Sequence, residues 1–424
     1  MTFVASLGLH PDLAGPLAGY AAPTPVQSAS IPAILAGRDV WASAPTGSGK
    51  TAAYALPILH ALAGESRRQP RPVTALVLVP TRELAAQVGE VFERLGRELA
   101  APVRTRVLFG GVSVNPQMMD LRGGAEIVVA TPGRLLDLVE RNALHLGTVR
   151  TLVLDEADRM LSMGFADELE KTLSLLPARR QTLLFSATFP AGVRALAAAQ
   201  LREPLRFVVE SADADVGALQ HRAIEVDTEA RTRLLLHLLE THGWPQVLVF
   251  VASRHGADHV SAKLRKAGVQ AVALHGDLAQ GTRTRALADL ATRRARVLVA
   301  TDVAARGLDI VELPAVVSYD LPRSASDYVH RAGRTARAGA SGVCVSFVTP
   351  DARAHFGLIE KRNRLAVSLE RIEGFTPTEL TPARGSDAPP RDPDGGVKGA
   401  RKSKKDKLRE AAAAASLAHG GPRK

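Results

Sequence analysis

Three acidic side chains, Asp155, Glu156 and Asp158, lie within four positions of one another in the segment "TLVLDEADRML", residues 151–161. The apolar run before them, residues 152–154, is typical of a buried strand, so the acids would emerge at its carboxyl end. Carboxylates in such a place can hold a metal ion and orient a water molecule for attack on a phosphate. They can also simply open the next helix, where acids complement the helix dipole. This segment alone leaves both interpretations open.

A second segment, "APTGSGKT" at residues 44–51, favours the phosphate chemistry. It follows a predicted strand and precedes a helical pattern, which is the context of a P-loop, and this context argues against a chance Gly-Lys-Thr in a turn. Gly47 and Gly49 permit a tight turn whose backbone N–H groups point at phosphate oxygens. Lys50 would reach the β- and γ-phosphates, and Thr51 would hold Mg²⁺. The predicted phosphate-binding residues are Ala44, Pro45, Thr46, Gly47, Ser48, Gly49, Lys50 and Thr51.

A P-loop needs a second acid that holds the metal at the end of a neighbouring strand. Asp155 is in such a place, and Glu156 beside it can orient or deprotonate the attacking water. We therefore predict that the acids serve a magnesium-bound nucleoside triphosphate and that any benefit to the helix is secondary.

Short apolar runs that alternate with longer helical patterns must position these residues. The runs of the first half are residues 39–44, 74–80, 104–110, 126–131, 151–155 and 182–188. Those of the second half are residues 221–227, 246–253, 269–275, 295–302, 315–322 and 342–350. This alternation predicts βαβ units and a parallel sheet covered on both faces. Since residues 208–220 break the pattern, we expect two doubly wound α/β domains joined by a linker.

The composition limits the partners and the compartment. A length of 424 residues suits two domains and a tail. The net charge of +11 favours a polyanionic partner, nucleic acid before membrane. Cys344 is the only cysteine, which excludes an intramolecular disulfide and favours a reducing, cytoplasmic setting. We find neither a secretion signal at the amino terminus nor an apolar run of about 18 residues, so no membrane association is expected.

In this motif order the chain resembles the DEAD-box RNA helicases of superfamily 2. The resemblance covers nearly all of residues 3–345. In the first half it rests on Phe3, "GYAAPTPVQ" (19–27), "PTRELA" (80–85), "GG" (110–111), "TPGR" (131–134) and "SAT" (186–188). In the second half it rests on "LVFVASR" (248–254), "HGDLAQGTR" (275–283), "ATDVAARGLDI" (300–310) and "HRAGRTAR" (330–337). The ordering looks most like bacterial RhlE-type members.

The resemblance implies two RecA-like domains with defined boundaries. The chain would divide into five segments: a Q-motif segment at 1–30, an ATP-binding domain at 31–210, a linker at 211–220, a C-terminal helicase domain at 221–375 and a flexible basic tail at 376–424. The composition agrees with the tail, because residues 381–424 hold 11 Lys and Arg against 5 Asp and Glu and little that could form a core.

The resemblance also implies roles at the nucleotide. Gln27 would read the adenine edge, the ring of Phe3 would pack on the base, and Asp309 would bond the ribose. Arg334 and Arg337 would enter the cleft between the domains and stabilise developing charge, as arginine fingers do. They would be neighbours if their segment is helical. Two solvated surface arginines are the alternative, against which the family order argues.

RNA contacts and coupling residues follow from the same comparison. The implied RNA contacts are Pro80, Thr81, Arg82, Gly110, Gly111, Thr131, Pro132, Gly133, Arg134, Arg254 and Thr301. Helix-opening segments of this kind offer N–H groups and an Arg to phosphates, so little base specificity is expected. The residues implied to couple the nucleotide state to RNA are Asp158, Ser186, Thr188 and His330. Apart from the family pattern, Ser186 and Thr188 could be a simple pair of strand-end hydroxyls.

The expected function is an ATP-dependent RNA helicase that uses ATP and Mg²⁺. ATP and RNA would close the two domains, and one strand of a short duplex would separate locally before hydrolysis releases it. Ribosomal or mRNA-decay complexes are possible partners. Two alternatives stay open: an RNA-binding clamp in which ATP sets residence time, and a DNA helicase on the same scaffold.

Overall fold

The computed structural model of the chain describes residues 3–18, 20, 22–44, 47–65, 69–209, 219–305, 313–336 and 341–377. We call residues 3–209 lobe 1 and residues 219–377 lobe 2. The predicted site residues Pro45, Thr46, Asp309 and Arg337 lie outside the described residues. So do residues 211–218 of the predicted linker and the predicted tail beyond residue 377.

Each lobe is built on a seven-stranded parallel sheet. The strands of lobe 1 are β1 (Val40–Ser43), β2 (Ala75–Leu78), β3 (Thr105–Leu108), β4 (Ile127–Ala130), β5 (Thr151–Asp155), β6 (Gln181–Ser186) and β7 (Leu205–Val208), in the order β3-β4-β2-β5-β6-β1-β7. Those of lobe 2 are β8 (Leu219–Glu225), β9 (Val247–Val251), β10 (Ala271–Leu274), β11 (Val297–Thr301), β12 (Ala315–Ser318), β13 (Gly342–Val348) and β14 (Leu369–Glu370), in the order β10-β11-β9-β12-β13-β8-β14. The predicted fold class is confirmed.

Two of the described helices precede β1, and the others lie in the connections between the strands. In lobe 1 they are α1 (Phe3–Leu7), α2 (Pro25–Leu35), α3 (Lys50–Ala63), α4 (Arg82–Leu95), α5 (Val114–Asp120), α6 (Pro132–Glu140), α7 (Ala157–Ser162), α8 (Ala166–Ser174) and α9 (Ala191–Gln200). In lobe 2 they are α10 (Arg231–His242), α11 (Arg254–Lys266), α12 (Gln280–Ala291), α13 (Asp302–Ala305), α14 (Ala325–Ala332) and α15 (Arg353–Asn363). Among the described helices, none has the length and apolar character needed to cross a membrane.

The edge strands β7 and β14 were not predicted from the sequence. β7 alternates half-buried with exposed residues, and β14 has only two residues, so neither forms the continuous apolar run that marks a central strand. The break in the pattern at 208–220 includes Val208 of β7, and the predicted linker at 211–220 ends too late, because Leu219 belongs to β8.

The central strands are apolar throughout because helices cover both faces of each sheet. In β2, Val77 packs into the core on one face, whereas Leu76 and Leu78 pack into the core on the other. Lobe 2 repeats the arrangement in β9, where Val249 and Leu248 belong to separate cores. This packing makes each sheet a rigid base for the loops at its carboxyl edge.

The strand order divides that edge of lobe 1 into two halves. β5, β6 and β1 are neighbours, with Asp155 paired to Phe185 and Ser43 paired to Ser186. The loop after β1 and the acids after β5 therefore meet at one half. The loops after β2, β3 and β4 form the other half, which carries the predicted RNA contacts.

Candidate nucleotide and nucleic-acid site

The loop between β1 and α3 has the tight backbone that a phosphate-binding turn requires. Gly47 and Gly49 have φ values of 84° and 92°, a left-handed conformation that glycine adopts without steric cost. A Cβ at Gly49 would also lie 2.6 Å from Gln27 Nε2. The buried Lys50 donates from Nζ to the carbonyl of Ala44 at 2.7 Å. Lys50 is thus held to the end of the segment that begins the predicted phosphate-binding turn.

Gln27 connects the start of α2 to this loop. Its Nε2 donates to the Gly49 carbonyl at 3.3 Å, and its Oε1 accepts from the Thr24 backbone N–H at 2.9 Å. The structure therefore brings Gln27 to the predicted nucleotide site. Phe3 is placed differently: it is buried in the core of lobe 1, with its ring centroid 6.3 Å from that of Tyr20. Its contact with a base stays a prediction.

Asp155 is held on both carboxylate oxygens. Oδ2 accepts from the Tyr54 hydroxyl at 2.9 Å, and Oδ1 accepts from the Glu156 backbone N–H at 2.9 Å. Burial raises the pKa of Asp155 to about 6, although Lys50 opposes this shift. Tyr54 was not predicted, yet it follows Lys50 by one helical turn, so its position on the same face of α3 could have identified it.

Glu156 occupies a strained position at the start of α7. Its φ of 53° and ψ of 48° are left-handed, which costs a non-glycine residue about 1–2 kcal/mol. Strain of this kind is found where a side chain must be aimed. The buried Glu156 carboxylate lies 3.5 Å from Arg159 Nε, measured from Oε2.

The four predicted coupling residues come together at the contact between the lobes. Asp158 Oδ2 accepts from the Thr188 hydroxyl at 2.5 Å and from its N–H at 3.2 Å. Ser186 Oγ accepts from the Asp158 N–H at 3.3 Å and donates to the Thr188 carbonyl at 2.8 Å. His330 of lobe 2 places Nε2 3.7 Å from Asp158 Oδ2. Burial alone would raise the pKa of Asp158, but His330 and Thr188 hold it well below its usual range.

The other half of the edge gathers cationic side chains. Arg82 lies over Gly111, whose φ is 74° and where an added Cβ would be 2.0 Å from Arg82 Nη2. Arg134 donates from Nη2 to the Val112 carbonyl at 2.7 Å. Burial lowers the pKa of Arg82, and the nearby charge of Arg283 from lobe 2 lowers it further. The arrangement offers positive charge and helix starts to a polyanion.

The remaining predicted contacts of lobe 1 lie in the same loops. Thr81 caps α4 by accepting from the Leu84 N–H at 3.3 Å. Pro80, Gly110, Thr131, Pro132 and Gly133 follow β2, β3 and β4 or open α6. In lobe 2, Arg254 is largely exposed and pairs with Asp277, and Thr301 ends β11.

A buried ion pair between the lobes was not predicted. Arg283 Nη2 of lobe 2 lies 2.5 Å from Glu83 Oε1 of lobe 1, and their side chains are only 6% and 5% exposed. Both residues fall within motifs of the family pattern, Arg283 in "HGDLAQGTR" and Glu83 in "PTRELA". Their pairing depends on the approach of the lobes, which no local pattern reveals.

Arg331 anchors the segment that carries the predicted arginine finger. Its Nε and Nη2 bond the two Asp302 carboxylate oxygens, each at 2.7 Å, and its guanidinium lies 4.8 Å from the centre of the Phe250 ring. Arg334 is buried just beyond α14, which ends at Ala332. Arg334 therefore does not lie on a helix, and the condition under which Arg334 and Arg337 would be neighbours on one helix is not met at Arg334.

The sequence matches two family models. "DEAD/DEAH box helicase" matches residues 24–196, and "Helicase conserved C-terminal domain" matches residues 230–339.

Similar proteins come from several kingdoms. DEAD-box ATP-dependent RNA helicase 30 of Arabidopsis thaliana is 44% identical over 78% of this chain and 56% of its own length. ATP-dependent rRNA helicase rrp3 of Emericella nidulans is 45% identical over 78% of this chain and 70% of its own length. ATP-dependent RNA helicase DeaD of Mycobacterium tuberculosis is 42% identical over 85% of this chain and 63% of its own length. The chain thus spans little more than half the length of the Arabidopsis relative.

A solved structure resembles both lobes together. S. cerevisiae Dbp5 bound to RNA and ADP BeF3 superposes with a TM-score of 0.77 at 30% identity, over 88% of this chain and 96% of that one. The chain is therefore a nucleotide-binding protein of the P-loop class. It has two RecA-like lobes, a P-loop and acids at the end of a neighbouring strand. With the family models and relatives matched, the chain belongs to the DEAD-box family of RNA helicases.

Proposed function

We propose that the chain is an ATP-dependent RNA helicase that separates short duplexes or remodels ribonucleoproteins when its lobes close. The observation that carries this proposal is that lobe 2 contacts both halves of the lobe 1 edge. His330 approaches Asp158 on the nucleotide half, and Arg283 pairs with Glu83 on the half predicted to bind RNA. Closure would therefore respond to both ligands at once, which is the requirement for coupling hydrolysis to RNA.

The hydrolytic step uses residues from both lobes. Lys50 and the P-loop amides bind the phosphates of ATP, and Glu156 orients and deprotonates the attacking water. Arg334 and Arg337 stabilise charge that develops on the transferred phosphoryl group. The contribution of lobe 2 makes turnover depend on closure.

Thr51 and Asp155 fit a magnesium ion. A hydroxyl and a carboxylate are oxygen donors of the kind that Mg²⁺ prefers. Burial raises the pKa of Asp155, and a bound cation would favour its charged form. Mg²⁺ would supply neutralisation of phosphate charge at this site.

RNA would bind across the cationic half of the edge. Arg82 and Arg134, with the helix starts at Thr81 and Thr131, can contact successive phosphates. Arg254 and Thr301 would extend the track in lobe 2. Such contacts follow the backbone and leave the base edges unread.

The segments "DEADRMLSMGF" and "YDLPRSASDYVHRAGRTARAG" support a bacterial RhlE-type member, and the single cysteine, Cys344, supports a cytoplasmic setting. The relatives named as rRNA helicases support a ribosomal RNA substrate. Fractionation of cells followed by RNA crosslinking tests the compartment and the substrate: a membrane-bound pool would contradict the first, and crosslinks that lack ribosomal RNA would contradict the second.

The test of the activity is ATP hydrolysis with RNA or with DNA of the same sequence. We expect stimulation by RNA and little by DNA, and equal stimulation would favour the DNA helicase alternative. The clamp alternative is examined by comparing unwinding of a short duplex with displacement of a bound protein. Duplex stability unaffected by ATP, together with slow ATP-dependent release of RNA, would favour the clamp.

A further inference from the structure

Arg159 is a buried cation next to the residue that would orient the attacking water. It lies on α7, three residues after Glu156, and its side chain is only 4% exposed. Its Nε is 3.5 Å from Glu156 Oε2. Within the described part of the chain, Nε and Nη1 of Arg159 make no hydrogen bond. A buried guanidinium with open donors calls for a partner, since leaving them unpaired is costly.

The other side of Arg159 faces lobe 2. A small cavity at the contact between the lobes is lined by Arg159 and by Phe250, Asp302, Ala305, Asp327, His330, Arg331 and Arg334. Its volume is about 10 Å³, which is room for about one water molecule. Every lining residue except Arg159 belongs to lobe 2. The surroundings of this guanidinium therefore depend on lobe contact.

The charges around the cavity direct Arg159 toward Glu156. Two acids of lobe 2 line the cavity, and both have partners: Arg331 bonds both oxygens of Asp302, and Asp327 accepts from the Ser324 hydroxyl. Arg331 and Arg334 present further positive charge. Arg159 also adds to the effect of burial in lowering the pKa of His330, so its charge is felt across the contact. The Glu156 carboxylate, 3.5 Å from Arg159 Nε, is the acid that forms an ion pair with this guanidinium.

We propose that Arg159 is a positioning residue that holds the Glu156 carboxylate toward the attacking water, and that lobe 2 completes this hold by excluding solvent from the guanidinium. The inference rests on the proposed ATPase function. When lobe 2 withdraws, water reaches Arg159 and the pair loosens, because ion pairs weaken sharply on exposure. Glu156 is then aimed only while the lobes are in contact.

The test compares RNA-stimulated turnover of the full chain with that of Arg159→Gln, Arg159→Lys and a control, Arg285→Gln. Arg285 is a largely exposed residue of α12 in a long ion pair with Asp289. Removing a residue that orients a metal ligand typically costs about 10- to 100-fold in activity, and we take the same range for a residue that orients Glu156. We expect kcat of Arg159→Gln to fall by that factor with KM for ATP and thermal midpoint unchanged. Arg159→Lys should recover part of the loss, and Arg285→Gln should match the unmodified chain.

A double-mutant cycle decides whether Arg159 acts through Glu156. In a Glu156→Gln background, measured in single turnovers, Arg159→Gln should cost nothing further, because the group that it positions is gone. Losses that multiply would overturn the proposal. A normal kcat for Arg159→Gln, or a raised KM with a lowered thermal midpoint, would also overturn it. If the unmodified chain showed no RNA-stimulated hydrolysis, the proposed function itself would fail, and that control separates the two failures.

Discussion

Arg283→Met tests whether the buried ion pair between the lobes controls closure. The substitution keeps most of the apolar volume of the side chain but leaves the Glu83 carboxylate without its partner at 2.5 Å. In separated lobes both groups would face water, so the variant should fold as the unmodified chain does. The penalty should appear only when the lobes close and bury the unpaired carboxylate.

The size of the penalty follows from the burial of the pair. The side chains of Arg283 and Glu83 are 6% and 5% exposed, so solvent screening is slight. Removing one partner of a buried ion pair costs about 3–5 kcal/mol. Arg82 lies close enough to offset part of this cost. We take about 3 kcal/mol, which lowers the closed population by roughly 100-fold, since each 1.4 kcal/mol is a factor of ten.

The assay is RNA affinity in the presence of a non-hydrolysable ATP analogue, together with the thermal midpoint and ATP affinity. Arg283→Met should weaken RNA binding by up to about 100-fold and leave the other two quantities unchanged. The double variant Glu83→Gln, Arg283→Met removes both charges and should recover most of the loss. Unchanged RNA affinity in Arg283→Met, or no recovery in the double variant, would refute the reasoning.

Three further outcomes are expected. Glu156→Gln should slow hydrolysis by roughly 10²–10⁴-fold, the worth of a positioned base, while ATP and RNA still bind; near-normal turnover would remove its assigned role. Lys50→Ala should raise the dissociation constant for ATP, measured with a fluorescent nucleotide, whereas Arg337→Ala should lower the rate by about 10³–10⁵-fold with binding retained; equal effects on binding would contradict this division. Deleting residues 381–424 should flatten the plot of log affinity for single-stranded RNA against log salt by about 2–3.5 units, if about three to five tail charges contact phosphates at about 0.7 per contact; parallel plots would mean that the tail does not bind RNA.

Much of the site was predictable because its signals are local. The P-loop glycines must adopt positive φ, and Gly47 and Gly49 do so. The acids at 155–158 stand at the end of an apolar run, which marks the carboxyl end of a strand, and β5 indeed ends at Asp155. These inferences needed only the neighbouring residues in the chain.

Partners of those residues were not predictable in the same way. Tyr54 and Asp155 are 101 positions apart, and they meet because the strand order places β6 alone between β5 and β1. The edge strands β7 and β14 exist because a central strand offers an unpaired edge, and their own residues carry no strong strand signal. Each of these features depends on the order of the strands across the sheet.

The sequence by itself determined the alternation of strands and helices, the phosphate-binding turn and the position of the acids, because steric limits and hydrophobic periodicity act over a few residues. Only the tertiary structure decided that Arg283 pairs with Glu83, that Arg331 pairs with Asp302 and that Arg159 faces lobe 2. Their energies come from burial between distant segments. Burial strengthens an ion pair only after folding has removed the surrounding water. A local stretch of sequence does not indicate which distant segments will pack together and exclude that water.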